Sequence, residues 1–204
     1  LGAFMRKNAA LNYGDRGTVV DAWSDVAGAG ALMDSVGVPM SDEKYYLMNP
    51  FTTTALSSAQ NGLNAADGLV RTAWERAQIS QNFGGMMALT SNALSSYTSG
   101  DTTDRAGTLN GAPNATYVAA KDTMQQTLVL AGLGTGTIKA GDQVTIAGVN
   151  RLNVATREAI LDSAGAQVPW TGTVLEDVTI SGNAATITVS ALTSVGSPAN
   201  KLAI

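Results

Sequence analysis

Two kinds of hydrophobic spacing divide the chain. Over residues 18–36, Val19, Val20, Trp23, Val26, Ala27, Ala31, Leu32 and Val36 recur with a helical period, and Gly37 followed by Pro39 supplies a stop. Gly28 and Gly30 each weaken that helix by up to about 1 kcal/mol, so packing is expected to hold it, with the small residues admitting another element closely. Tyr45-Tyr-Leu-Met48 predicts a short strand ended by the turn signal Asn49-Pro50. Residues 52–61 read as a short helix capped by a threonine. Residues 65–76 read as a second periodic stretch, with Leu69, Val70, Ala73 and Trp74 on one side. Met86-Met-Ala-Leu89, entered through Gly84-Gly85, returns to extended structure.

After about Ser91 the pattern changes. Ser, Thr, Gly and Asn dominate residues 95–114, a loop-rich passage. Short alternating runs follow: Thr127-Leu-Val-Leu, Gln143-Val-Thr-Ile, Thr173-Val-Leu, Val178-Thr-Ile and Ala185-Thr-Ile-Thr-Val. Gly132-Leu-Gly-Thr-Gly, Ala140-Gly-Asp, Gly148 and Ser181-Gly-Asn separate them, and residues 178–189 read as a hairpin about Gly182-Asn183. Strands this short with turn residues at such intervals predict a small antiparallel barrel or sandwich. The expected organisation is α+β, with residues 1–90 helical and mixed and residues 91–204 all-β.

Composition narrows the chemistry. No cysteine is present, which excludes a disulfide framework, thiolate zinc sites and a cysteine nucleophile. Histidine is absent too, removing the commonest general base and transition-metal ligand. The net charge of −4 shows no basic footprint for nucleic acid. Charged residues make up 14% of the chain, against about 25% in an ordinary domain. So few charges protect weakly against association, which suits a subunit meant to touch neighbours. No run reaches the roughly 18 apolar residues of a membrane span. The start, Leu1-Gly-Ala-Phe-Met-Arg-Lys, lacks a signal-peptide pattern and opens mid-pattern without Met, as expected of an internal piece of a longer protein.

Each candidate for chemistry has a simpler reading. Ser41-Asp-Glu-Lys44 matches the S-x-x-K spacing of serine acyl-enzymes, but the companion S-D-N and K-T-G motifs are absent, and a helix-capping serine explains it as well. The glycines at 132, 134 and 136 lead into a strand instead of the helix that a phosphate cradle needs. Asp101 and Asp104 supply far fewer oxygens than the six to eight a calcium ion takes. Asn114-Ala-Thr116 is a formal glycosylation acceptor. Asp42-Glu43 and Glu176-Asp177 are adjacent pairs at expected turns, and Trp23, Trp74 and Trp170 sit on periodic faces where core packing is the default. No catalytic residue, metal ligand or cofactor site is expected.

A resemblance gives this inventory a direction. The run Val19-Val-Asp-Ala-Trp-Ser-Asp-Val-Ala-Gly-Ala-Gly-Ala-Leu-Met, followed by Tyr45-Tyr-Leu-Met-Asn-Pro50, resembles coat proteins of the P-twenty-two type from short-tailed phages. Ile138-Lys-Ala-Gly-Asp-Gln-Val-Thr-Ile-Ala-Gly-Val149, with Asn153, Thr156 and the hairpin of residues 174–189, is similar to the Gly-Asp…Ala-Gly-Val signature of that family's insertion domain. The two lie in the family's order and cover most of the chain. The resemblance implies a Hong-Kong-97-type capsid core, with peripheral and apical domains forming the shell floor, and an inserted six-stranded antiparallel β-barrel. It also implies that the insertion domain supports folding of the subunit and that one of its loops reaches a neighbouring capsomer across a two-fold axis. Here that loop falls near residues 118–124, looks short, and carries only Lys121 and Asp122 as charges. Such a rim pair contributes about 0–1 kcal/mol and serves orientation more than affinity. The family's scaffold-engaging arm, its extended loop and the return to the capsid core are expected outside these residues, as are contacts with scaffolding and portal proteins.

The expected function is therefore a structural subunit of a phage capsid, assembled in the host bacterial cytoplasm and ending in the virion. Its partners would be other copies of itself, with no specific nucleic-acid site and no membrane. A secreted or tail-associated glycan-binding β-module is the alternative; it needs clustered exposed aromatics, and Trp170 and Tyr117 are its candidates in the β region. A hydrolase built on Ser41 and Lys44 is the third reading.

Overall fold

The structure, a computed structural model, describes residues 2–14, 17–61, 79, 81–94, 96–111, 123–190 and 202–203. The periodic stretch expected over residues 65–76, Trp74 in it, and the acceptor sequence at Asn114 lie outside them. So do Tyr117, Lys121 and Asp122. Helices and strands are mixed, as the two hydrophobic spacings predict. The chain forms two compact units, one of Tyr13–Ser95 and the other of Ala3–Asn12 with Ser96–Ile204.

The chain begins with a short helix, α1 (Gly2–Lys7), which belongs to the second unit apart from Gly2. The first unit opens with α2 (Trp23–Val36). The helix starts five residues later than the apolar spacing predicts. Ala22 is extended at the cap, and its N–H donates to the Asp25 carboxylate at 3.2 Å. Gly37 ends the helix in a left-handed conformation, φ 112, with Gly37 N–H on Asp34 O and Val38 N–H on Met33 O. β1 (Tyr45–Met48) leads into α3 (Pro50–Asn61). This helix starts two residues before the predicted position and is capped by Asn49, whose Oδ1 accepts the Thr52 N–H at 2.8 Å, so the expected threonine cap is corrected. Proline at the first helical position loses no intrahelical bond.

β2 (Asn82–Phe83) turns through Gly84 and Gly85, both at positive φ, into β3 (Met86–Thr90). β3 is central, antiparallel to β2 and parallel to β1. Val26, Met48, Leu56, Phe83 and Met86 form the core. The expectation that small residues admit a close neighbour holds at two places. A Cβ on Gly28 would fall 2.0 Å from the Tyr13 hydroxyl, and a Cβ on Gly84 would fall 3.0 Å from the Ala27 backbone nitrogen. Trp23 corrects the core assignment made for it: at the first position of α2 it is 58% exposed.

The second unit is built on strands: β4 (Thr108–Leu109), β5 (Gln126–Ala131), β6 (Thr137–Ile138), β7 (Gln143–Arg151), β8 (Pro169–Thr173), β9 (Val178–Thr179), β10 (Ala184–Val189) and β11 (Leu202–Ala203). Period-two alternation explains the β5–β10 pair. Leu130 opposes Ala185 and Leu128 opposes Ile187 on the buried face, while Val129 and Thr186 pair on the outer face. The turn of the predicted hairpin is present, but β9 pairs with β6 and β10 with β5. The segments on either side of the turn are therefore joined by bridges at Ser181–Ala184 and Val174–Val189 and not by a continuous ladder. Gly182 and Asn183 sit at φ 59 and 61, and Ser181 and Ala184 exchange both backbone bonds. Trp170, fully buried, heads a core with Leu128, Ile187, Val174 and Val189. Its ring lies over Gly172, where a Cβ would fall 2.6 Å from the indole, so only glycine fits two residues along β8.

Strand pairing among the described residues does not close. It runs β11–β7–β8, continues through the Val174–Val189 bridge to β10–β5–β4, and leaves β6–β9 as a separate pair. β11 pairs parallel to β7, where an antiparallel barrel was expected. Between β7 and β8 the chain also makes a long excursion, held by the bridges Leu152–Ala159 and Leu161–Gln167 and by backbone bonds such as Ile160 N–H to Arg151 O and Val168 N–H to Ile160 O.

Candidate functional site

A polar network in the β unit lies where the chain's start meets its second half. Asp142, of the Gly-Asp turn between β6 and β7, accepts the Tyr97 hydroxyl at 2.5 Å, Gly100 N–H at 3.0 Å and Lys139 N–H at 2.8 Å. One carboxylate thus closes its own turn and fixes the entry of residues 97–100. The Arg6 guanidinium lies 4.4 Å from the centroid of the Tyr97 ring, a cation–π contact. Gly141, at φ 101, places its backbone beside the Arg6 side chain.

Two further aspartates work in the same way. Asp177 accepts Ala140 N–H at 2.7 Å, and Asp101 Oδ1 accepts both the N–H and the hydroxyl of Thr137 at 2.7 Å. The Thr137 hydroxyl and then its N–H hold the Asp101 carboxyl below the usual carboxylate range. These acids are turn-builders, consistent with the simpler reading of Asp101, Asp104 and Asp177. Among the described residues no group of acids, histidines or cysteines is arranged to hold a metal ion.

Farther along the same segment, Arg151 at the end of β7 is 3% exposed. Its Nη2 donates to Thr171 O at 2.5 Å, Thr171 Oγ1 at 2.8 Å and Ala10 O at 3.0 Å. Burial pushes its pKa down to about 10, which leaves it a cation at neutral pH and records how much hydration it has lost. Asn12 Nδ2 donates to Thr173 Oγ1 at 2.9 Å, and Ser190 Oγ donates to Ala9 O at 2.8 Å. No motif or spacing points to this. Arg151 ends an ordinary alternating run, and of its two partner residues Thr171 lies 20 positions away and Ala10 lies 141.

The remaining candidates are not brought together. Ser41 is exposed in a turn that precedes a strand, so it caps no helix, and Lys44 is ion-paired with Asp34 at the end of α2. Glu43 accepts the Tyr45 hydroxyl, which raises the Tyr45 pKa. Trp170 is fully buried, and its indole N–H has no partner among the described residues; the burial removes it as a sugar-stacking surface.

Comparison with known proteins gives the chain its relatives. The family described as P22 coat protein, gene protein 5, matches residues 1–199. The major capsid protein of Acyrthosiphon pisum secondary endosymbiont phage 1 is 42% identical over 180 residues, covering 87% of this chain. The chain spans 42% of that relative's length. On this likeness, carried along nearly the whole sequence, the chain belongs to the P22 coat protein family.

Proposed function

We propose that the chain is part of a structural subunit that self-associates into the icosahedral shell of a phage. The observation that carries this is the family match over residues 1–199 together with the similarity to a phage major capsid protein. Symmetric repetition turns many modest contacts into a stable assembly, so no single strong site is required. A charged content of 14% and the apolar residues left exposed on the helical unit, Trp23, Met40 and Phe51 among them, fit such contacts.

In the finer reading, Tyr13–Ser95 contributes to a Hong-Kong-97-type floor and the β unit is the counterpart of the family's inserted barrel domain. Lys121 and Asp122 then lie on the loop that reaches a neighbouring capsomer. Scaffolding and portal proteins engage regions beyond these residues, and assembly takes place in the host cytoplasm. The test is co-expression of the full-length protein with its scaffolding protein, followed by electron microscopy. Closed shells are expected; soluble monomers alone would count against the proposal.

A further inference from the structure

β8 is buried on both faces, although its sequence alternates. Trp170 and Gly172 turn toward the core. Thr171 and Thr173, on the opposite face, are 7% and 0% exposed. On that second face Thr171 is held by Arg151 of β7, and the start of the chain supplies the contacts around them. Ala9 O takes the Ser190 hydroxyl, Ala10 O takes Arg151 and the Asn12 amide donates to Thr173, so residues 9–12 lie across β7, β8 and the end of β10.

Arg151 makes this docking consequential. It has no carboxylate partner among the described residues, and its charge is met by the oxygens of Thr171 and Ala10 alone. Without residues 9–12 the buried cation would lose one of its three acceptors, and Thr173 would lose its side-chain donor. At the other end, Arg6 on Tyr97 ties the same segment to the point where the chain returns to this unit after residue 95.

We propose that residues 3–12 are a latch. Arg151, Thr173 and Ser190 form a docking site for an extended segment that offers two successive carbonyls and, two residues on, an amide side chain; the same chain's Ala9–Asn12 fills it. The β unit reaches its packed state only when a segment separated from it by the whole helical unit has docked. An early stretch of the chain thereby licenses completion of the last. This holds whether or not the chain tiles a shell, so either proposal can fail alone.

The chain has no cysteine, so Asn12→Cys with Thr173→Cys creates a unique thiol pair. Oxidation of the purified protein should give a link within one chain. Thiols that stay unreacted would overturn the latch, and linked dimers would assign the site to a second copy's segment and overturn the same-chain assignment. A milder variant, Asn12→Ala with Ser190→Ala, keeps Arg151 and avoids a gross folding failure. Amide exchange at Thr171 and Thr173 should then accelerate about tenfold while Val26 and Leu56, in the other unit, keep their protection. Unchanged exchange along β8 would overturn the proposal.

Discussion

The two units reach order by opposite routes. The β unit follows the simplest rule available to a chain, alternation, and buries a continuous cluster from Leu128 through Trp170 to Val189. The helical unit has a much smaller described core of Val26, Met48, Leu56, Phe83 and Met86, and relies on close backbone approach at Gly28 and Gly84. It also leaves Val19, Trp23, Met40, Tyr45 and Phe51 exposed among the described residues. Both units leave large apolar side chains at the surface, Phe4, Val154 and Leu161 on the β unit and Trp23, Met40 and Phe51 on the helical one. The difference lies in the cores: one is large and continuous, the other small and dependent on glycine.

The largest expected effect sharpens that contrast. Trp170→Ala removes the biggest fully buried side chain and should destabilise the β unit by about 3–5 kcal/mol. Thermal unfolding monitored by amide exchange should show the loss in the β unit, with Val26 and Leu56 unaffected. Leu56→Ala, the counterpart in the helical unit, should cost about 2–3 kcal/mol, because a small cluster collapses more readily around the cavity. If both variants unfolded both units together, the contrast would break.

Titration separates the units with a smaller effect. Asp101's folded pKa is depressed, so its contribution is present above the unfolded value and disappears as pH falls through the folded one. The β unit should therefore weaken below about pH 4, and Asp101→Asn should flatten that acid limb. Tyr45 and Tyr46 are raised, the first by Glu43 and the second by burial and then Asp25. Their contribution is present below the unfolded pKa and lost as pH rises through the folded one, so the helical unit should weaken above about pH 10. Denaturant midpoints measured across pH on each unit's amides check both limbs. Smallest of all, Ser41→Ala, at an exposed turn position, should shift stability by less than about 0.5 kcal/mol and leave assembly intact; a selective loss of activity with folding preserved would revive the hydrolase reading.

Period and punctuation made much of this fold legible. Gly37 ended α2, Asn49-Pro50 ended β1 and Gly182-Asn183 turned the last hairpin, each through a backbone conformation that the residue type favours. Helix starts were less legible, because Trp23 and Asn49 open helices on local hydrogen bonding that apolar spacing does not encode. Trp23 was misplaced for the same reason: periodicity locates a face but not the first turn's exposure. Arg151 was invisible, since its partner Ala10 is a backbone carbonyl with no residue signature and lies across the chain from it. The Gly141-Asp142 pair was legible as a motif, while its work at Tyr97 and Gly100 required the fold.

The most direct test of the shell reading is a cryo-electron microscopy map of particles assembled from the full-length protein. An icosahedral lattice is expected in which every subunit shows a helical unit matching Tyr13–Ser95 and a β unit matching Ala3–Asn12 with Ser96–Ile204, with the proposed loop of residues 118–124 directed at a neighbouring capsomer. Particles whose subunit density lacks these two units would contradict it.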